Sequence, residues 1–352
     1  MNGLKIYSYK DISIKYQLNI YNKPQKVYIP LISKDKEKIT VLVKKDDYIF
    51  KGSIIGKIKG KYKTSIFSSV SGKVIAFEEY TIFNGKKVKC VVIENDFKER
   101  IEKGLDKTNN LNEFSKKEFI EILKNSGIIG LDETEIPAYV KYDTDKKIYT
   151  LIINTIKYSS YVNADCVIIK EKCEEILEVI DAILEINNID KCIIVINKNN
   201  KDLIEILNNY LGTYLNIEIV PVSNLYSKLN EQKLVKKITG INYIEKGIII
   251  DNISTMYAIY QALKQNKPFT EKIVTFILPN VEEPVNLLVK FGTSIKEIIR
   301  YLIGKQKIEE NIFINDNLVS KYIVNSLVVT PELNSVVIKE KKNKSNKKWW
   351  TK

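Results

Sequence analysis

Four continuous apolar runs in the middle of the chain constrain its fold more than any other feature. YTLIIN (149–154), CIIVIN (192–197), IEIVPV (217–222) and GIIIDN (247–252) show almost no polar alternation. A strand with one wet face alternates, whereas a strand covered on both faces does not. Between the runs, Ile176, Leu177, Val179, Ile180, Ile183 and Leu184, and then Leu203, Ile204, Leu207 and Leu211, recur at the period of a helix. After Asn252, Ser254 is placed to cap a further helix carrying Tyr257, Ile259 and Leu263. Ser115-Lys-Lys-Glu118 reads as a capping box that opens a helix through Phe119, Ile122 and Leu123, with Gly127 placed to end it. This is the pattern of an α/β domain with a parallel sheet and crossover helices, spanning 113–268.

The flanks have a different texture. Within 1–100, VYIPLI, KITVLV, IIGKI, SGKVIAF and VKCVVIE are short Val- and Ile-rich strands, and Asn84-Gly85 is a hairpin turn. Their alternation with glycine turns is that of small barrel-sandwich domains of the biotinyl and lipoyl type. Those carriers present a modifiable lysine in a hairpin; here the corresponding stretch is Ser-Val-Ser-Gly, which makes this a structural module. The polar stretch 96–112 reads as a linker. Residues 270–338 hold two strands, a helix and further short strands, suited to a small β-grasp module, and 339–352 is a basic disordered tail.

Much chemistry is excluded at once. The chain of 352 residues has no histidine, so no His ligand, Ser/His or Cys/His pair, or His proton shuttle exists. Cys90, Cys166, Cys173 and Cys192 contain no C-x-x-C pair and fit neither an iron–sulfur loop nor a zinc site, so no metal site is expected. Free thiols and the lack of a secretory apolar run at the start favour a cytoplasmic protein, and no run approaches the length of a membrane helix. Net charge is +13, but the tail from Lys339 to Lys352 carries seven Lys and one Glu, so the rest is only mildly basic. Arg100 and Arg300 are the only arginines, which argues against nucleic acid. Trp349-Trp350 among the tail lysines instead suits peripheral contact with an anionic membrane surface.

The ordered series IPLISKDKEKITVLVKKDDYIFKGSIIG, SSVSGKVIAFE, VVIEND, NSGIIGLDETEIPAYVKY, LIINTIKYSSYVNAD, NEQKLVKKITG, GIIIDNISTMYAIYQAL and PVNLLVKFGTSIKEII resembles the RnfC family, a component of the Rnf-type membrane electron transport complex, over about 25–330. That family shares its middle domain with the NADH- and flavin-binding subunit of respiratory complex I. The resemblance implies an N-terminal barrel-sandwich hybrid domain, a central flavoprotein-subunit-like α/β domain and a C-terminal SLBB-like β-grasp module. It also implies the other members of such a complex as partners, and a chemistry in which NADH reduces flavin mononucleotide (FMN) and two four-iron four-sulfur clusters carry electrons onward.

The residues that the resemblance places at the flavin site are Gly130, Pro137, Lys141, Asn154, Tyr161, Asn252 and Thr255. Both glycine-rich loops depart from the family pattern. Asp132, Glu133 and Glu135 stand where three glycines are expected, and Lys157 and Ser159 replace two acidic residues of the second loop. The paired cysteine motifs expected after the β-grasp module are replaced by the Lys-rich tail. The expectation is a non-catalytic homologue, with no catalytic residue, no bound cofactor and no four-iron four-sulfur cluster, acting as a subunit or adaptor of an electron transport complex at the cytoplasmic membrane. The alternative is a flavin- or NADH-binding electron-transfer protein with a remodelled pocket, Rnf- or amino-acid-reductase-associated. A third reading is a basic membrane-surface adaptor with no redox connection.

Overall fold

The computed structural model describes residues 18–21, 23–33, 37–82, 84–130, 136–156, 162–223, 230–241, 247–279, 284–304, 310–315, 317–319 and 326–340. The segments holding Asp132, Glu133 and Glu135, and Lys157, Ser159 and Tyr161, lie outside the described residues, as does 341–352.

The first strand, β1 (Asn19–Tyr21), leaves the N-terminal module altogether and is taken up below. That module is built from β2 (Lys26–Pro30), β3 (Lys38–Val41), β4 (Tyr48–Ile49), β5 (Ile54–Lys59), β6 (Thr64–Phe67), β7 (Gly72–Thr81) and β8 (Lys87–Asn95). They form two antiparallel sheets, in the orders β2-β8-β7-β4 and β3-β5-β6. The expected Asn84-Gly85 hairpin joins β7 to β8, with Gly85 N–H donating to Ile82 O at 2.8 Å. The serine turn before β7 is fastened inward. Ser68, Ser69 and Ser71 are fully buried, Ser69 Oγ donates to Phe291 O at 2.7 Å, and Ser71 Oγ donates to Asp96 at 2.6 Å. This turn is a joint between modules, whereas a swinging arm would have to stand in solvent.

Gly72 passes directly over β8. A Cβ built there would lie 1.8 Å from Glu94 O, a backbone atom that cannot move aside without breaking the ladder. Gly72→Ala is expected to destabilise the protein by about 3 kcal/mol, measured as a fall in the urea midpoint at unchanged slope; an unchanged midpoint would refute this close approach.

The segment 96–112, read from sequence as a linker, is pinned to its surroundings. Lys51 bridges to Ile101, and Asn109 bonds Lys264 O and Leu263 O, each at 2.8 Å. Its end carries the buried Leu111, an apolar anchor that the polar composition obscured. The helix α1 (Lys116–Asn125) then opens with the expected capping box.

The central module contains β9 (Thr150–Asn154), β10 (Lys191–Asn197), β11 (Ile217–Val222) and β12 (Ile248–Asp251), all parallel, in the order β11-β10-β9-β12. Its helices are the short α2 (Tyr139–Tyr142), α3 (Ala164–Ile186), α4 (Lys201–Leu211), α5 (Glu231–Thr239) and α6 (Ile253–Gln265). Alternate strand residues serve opposite faces, as the continuous apolar runs require. Leu151, Ile153, Cys192 and Ile194 pack in the main core beneath α3 and α6, while Ile152, Ile193, Val195 and Ile250 meet Leu234 and Val235 of α5. One expected cap is reassigned. Asn252, in extended conformation, accepts from Thr255 N–H at 2.9 Å and is the N-cap of α6, while Ser254 is turned towards Asp165.

The C-terminal module follows as β13 (Glu271–Ile277), β14 (Val285–Lys290), α7 (Ile295–Ile303), β15 (Glu310–Ile314), β16 (Asn317–Val319) and β17 (Ser335–Glu340). β1 lies along its edge, parallel to β14, giving a six-stranded sheet in the order β1-β14-β13-β17-β15-β16. The pairing is reinforced by Tyr21, whose hydroxyl donates to Glu297 at 3.0 Å. β17 takes in Lys339 and Glu340, the first two residues of the segment read as a tail.

The modules are welded by polar and apolar joints. Tyr28 N–H donates to Gly292 O at 2.8 Å, and Thr81 N–H to Ser326 O at 2.9 Å. Lys290 is almost fully buried and ion-paired with Glu99, which also holds Lys51 at 3.3 Å. Burial pushes the Lys290 ammonium below the usual lysine range, with Lys51 adding to the effect and Glu99 opposing it. One hydrophobic cluster runs from Val27 through Leu151 to Ile338. Calorimetry of the ligand-free chain is therefore expected to show a single cooperative transition; three resolved transitions would contradict a shared core.

Candidate functional site

In an open parallel sheet, ligands sit outside the carboxyl ends of the strands, where the strand order reverses. Here the chain steps from β9 outward to β10 and β11, then returns to place β12 on the other side of β9, so the reversal lies between β9 and β12. Ile153 pairs with Asp251, and the next residues on the two strands are Asn154 and Asn252. These two candidates are thus brought side by side by register alone.

Gly130 and Pro137 lie at the root of the first loop. Gly130 N–H donates to Ile136 O at 2.7 Å, Ile129 bridges to Pro137, and Ala138 N–H donates to Ile128 O at 2.9 Å. This narrow ladder delivers the chain into α2, which carries Lys141 and Tyr142 onto the end of β12. Lys141 Nζ donates to Ile250 O at 2.7 Å and to Asp251 Oδ1 at 2.9 Å, and the Tyr142 hydroxyl donates to Asp251 Oδ2 at 3.0 Å. Asp251 is fully buried and the Lys141 side chain is only 8% exposed, so this is an internal ion pair. Tyr139, one turn earlier, has its phenol pKa raised by burial; a hydrogen bond with the Lys63 backbone opposes the shift, and the charges of Asp143 and Glu37 reinforce it.

The start of α6 is closed by side chains of the chain itself. Thr255 N–H and Oγ1 both donate to Asn252 Oδ1, at 2.9 and 3.1 Å. Ser254 donates both its amide, at 3.1 Å, and its hydroxyl to Asp165 Oδ1. Asp165 comes from the first turn of α3 and is itself 3% exposed. Asn154 Oδ1 is taken by the amide of Ile156 at 2.9 Å, and Thr155 bonds Val195 O. Beside these, the buried side chain of Asn163 and the Asn252 Nδ2 find no partner among the described residues.

Lys141, Asn154, Asn252 and Thr255 therefore share one end of the sheet, Gly130 and Pro137 root its first loop, and Tyr161 lies outside the described residues. Sequence reasoning missed Asp251, Tyr142 and Asp165. Asp251 had a readable signal, since a carboxylate closing the run GIIID must find a partner when the strand is buried. Asp165 had none, because its partner Ser254 lies 89 positions away and nothing in the local sequence points to it.

The FMN that the resemblance implies would need free amide donors and uncommitted cations for its phosphate. The described residues do not fit this group. The Ser254 and Thr255 amides are already bonded, Lys141 is held by Asp251, and the carboxylates bonded to these groups, Asp165 and Asp251, are themselves buried. Nor do the thiols suit redox chemistry. All four are buried, and burial pushes Cys90 up to about 12 and Cys173 up to about 11, with Cys192 higher still. Among the described residues no group of His, Cys, Asp and Glu side chains is arranged to hold a metal, and no helix is long and apolar enough to cross a membrane.

Comparisons with known proteins bear on the same architecture. Residues 1–98 match the family described as the RnfC barrel sandwich hybrid domain, and 123–261 match the Nuo51 FMN-binding domain. The RnfC-type subunit of the proton-translocating ferredoxin:NAD(+) oxidoreductase complex of Clostridium ljungdahlii is 28% identical over 84% of this chain, which spans 67% of that protein. The Na(+)-translocating counterpart of Acetobacterium woodii is 25% identical over 82% of the chain and 67% of its own length. The equivalent protein of the ion-translocating oxidoreductase complex of Rhodobacter capsulatus is 26% identical over 86% of the chain and 60% of its own length. A crystal structure of an NAD+-reducing [NiFe]-hydrogenase shares the fold, with a TM-score of 0.54, 12% identity, and coverage of 64% of this chain and 47% of that one. Carrying both domains in order, the chain is similar along most of its length to the RnfC-type subunits of ion-translocating oxidoreductase complexes.

Proposed function

We propose that this chain works as an RnfC-like subunit or adaptor, docked through its three-module body on the other subunits of an electron transport complex at the cytoplasmic membrane, without a redox centre of its own. The carrying observation is the self-satisfied start of α6. Its first amides are bonded by Asp165 and Asn252, and the neighbouring cation is committed to Asp251. A helix start attracts a phosphate only while its amides are unpaired. The C-terminal module supports the same family reading, because its own five strands run in the order β14-β13-β17-β15-β16 with β13 and β17 parallel, as a β-grasp, SLBB-like sheet would.

The direct test is the absorbance spectrum of the purified chain together with affinity capture from its own membranes. The expected result is no flavin band and recovery of the membrane subunits of an ion-translocating complex. A stoichiometric flavin band would replace this reading with that of a flavoprotein with a remodelled pocket. Failure to recover any membrane subunit would remove the adaptor role.

A further inference from the structure

The smaller sheet of the barrel sandwich, in the order β3-β5-β6, carries a field of lysines on one face. Ile39 and Ile58, paired across β3 and β5, turn the other way, and Ile58 is buried. On the lysine side, Lys38 stands directly opposite Lys59, and Lys57 lies between Thr40 and Ser65 of the two neighbouring strands. All three lysines are exposed, as is Lys63 just before β6. Like charges directly opposite each other weaken a sheet.

Nothing on the chain relieves this repulsion. None of the four lysines forms an ion pair among the described residues. Glu37, the neighbour of Lys38, accepts from Tyr62 N–H at 3.1 Å through one oxygen and buries the other. Lysines on an edge strand keep other chains from pairing with it. Lys57 and Lys59, however, lie on β5, which is paired on both sides, so edge protection does not account for them. At the far end of the same two strands the surface turns aliphatic. Leu42 and Ile54 are 48% and 38% exposed, and the Leu42 amide donates to Ile55 O at 2.9 Å, which holds their two segments together.

A field of one sign calls for an anionic partner, and the residue types select among the candidates. Protein interfaces are enriched in aromatic residues, Met and Arg and depleted in Lys, and nucleic acid is read by Arg forks. The lysine field contains none of those enriched types. An ammonium is a compact point charge that needs no fixed partner geometry, which suits a layer of lipid headgroups, and exposed aliphatic side chains suit the boundary beneath it. We propose that the β3-β5-β6 face of the barrel sandwich rests on an anionic lipid surface, with Lys38, Lys57, Lys59 and Lys63 over the headgroups and Leu42 and Ile54 at the rim. This contact requires no protein subunit, so it stands or falls apart from the docking proposed above, and it is separate in sequence from the lysine-rich tail.

The test is sedimentation of the full chain with vesicles of phosphatidylserine and phosphatidylcholine, against phosphatidylcholine alone. Binding is expected on the anionic vesicles only, and it should fall as salt rises. Replacing Lys57 and Lys59 together with Gln is expected to weaken partition about thirtyfold, about fivefold for each lysine removed. Lys59→Glu is expected to weaken it as strongly while the thermal midpoint holds or rises, because the variant sets opposite charges across the pair with Lys38. Failure of the unmodified chain to sediment with the anionic vesicles would overturn the proposal, as would equal sedimentation with both kinds of vesicle. Undiminished sedimentation of both variants would leave lipid contact to the tail and overturn it too. Variants that keep their lipid affinity but lose capture of a membrane subunit would assign the face to a protein partner instead.

Discussion

Replacing Lys141 with Met is expected to destabilise the protein by about 3–5 kcal/mol, the cost of leaving one member of a buried ion pair uncompensated. Asp251 is fully buried, and Lys141 lies within hydrogen-bond distance of it, so the charge left behind cannot reach water. The Tyr142 hydroxyl can still donate to it, which offsets only part of the loss. Lys141→Met combined with Asp251→Leu removes both charges and should recover much of the stability, since an apolar pair of similar size avoids the desolvation cost. Urea unfolding of the two single variants and the double variant gives the coupling directly. A cost below about 1 kcal/mol for Lys141→Met, the range of exposed pairs, would show that the pair is not buried.

Titration with FMN is expected to show no binding tighter than about 10 μM, a free energy near −7 kcal/mol. The sequence places Asp132, Glu133 and Glu135 between Gly130 and Pro137, and the structure places Asp165 beside the start of α6 and Asp251 at the end of β12. One carboxylate about 4 Å from a phosphate charge costs on the order of 4 kcal/mol at an effective dielectric of 20, roughly a thousandfold in affinity. Freeing the helix start with Asp165→Ala, which removes the acceptor of the Ser254 amide, and replacing the three loop acids with Gly should improve affinity, because both the charge and the blocked amide oppose a phosphate. Tight binding by the unmodified chain would show that the flavin phosphate is held elsewhere.

The architecture was legible where pattern and burial coincide. The four apolar runs became the four parallel strands, Ser115 and Glu118 formed their capping box, and Asn84-Gly85 turned its hairpin, because each signal is local and meets no competing demand. What failed to show was the long-range pairing. Asn19–Tyr21 has no alternation or length to mark it as a strand, and it exists only because β14 offers an open edge. The candidate site was half legible. Asn252 and Thr255 were found at the right helix start, but the ion pair that closes the site joins residues 110 positions apart, and nothing in either local sequence specifies its partner. The lysine face of the barrel sandwich was hidden for the same reason, since Lys38 and Lys59 come opposite each other only through the strand register.

The pairing of β1 with β14 also sets an order of events during synthesis. Asn19 emerges from the ribosome long before Leu287, its partner, and at roughly 5–20 residues per second the wait is on the order of 10–50 s. Until then the nascent chain holds an unpaired segment, and once β14 appears its outer edge is bare until that segment returns. A bare edge recruits any strand at hand, including the same edge of a neighbouring molecule. Extensions that tether or delay the N-terminal segment therefore carry a penalty in yield rather than in the stability of the finished fold, whereas extensions beyond the C-terminal strand leave this closure untouched.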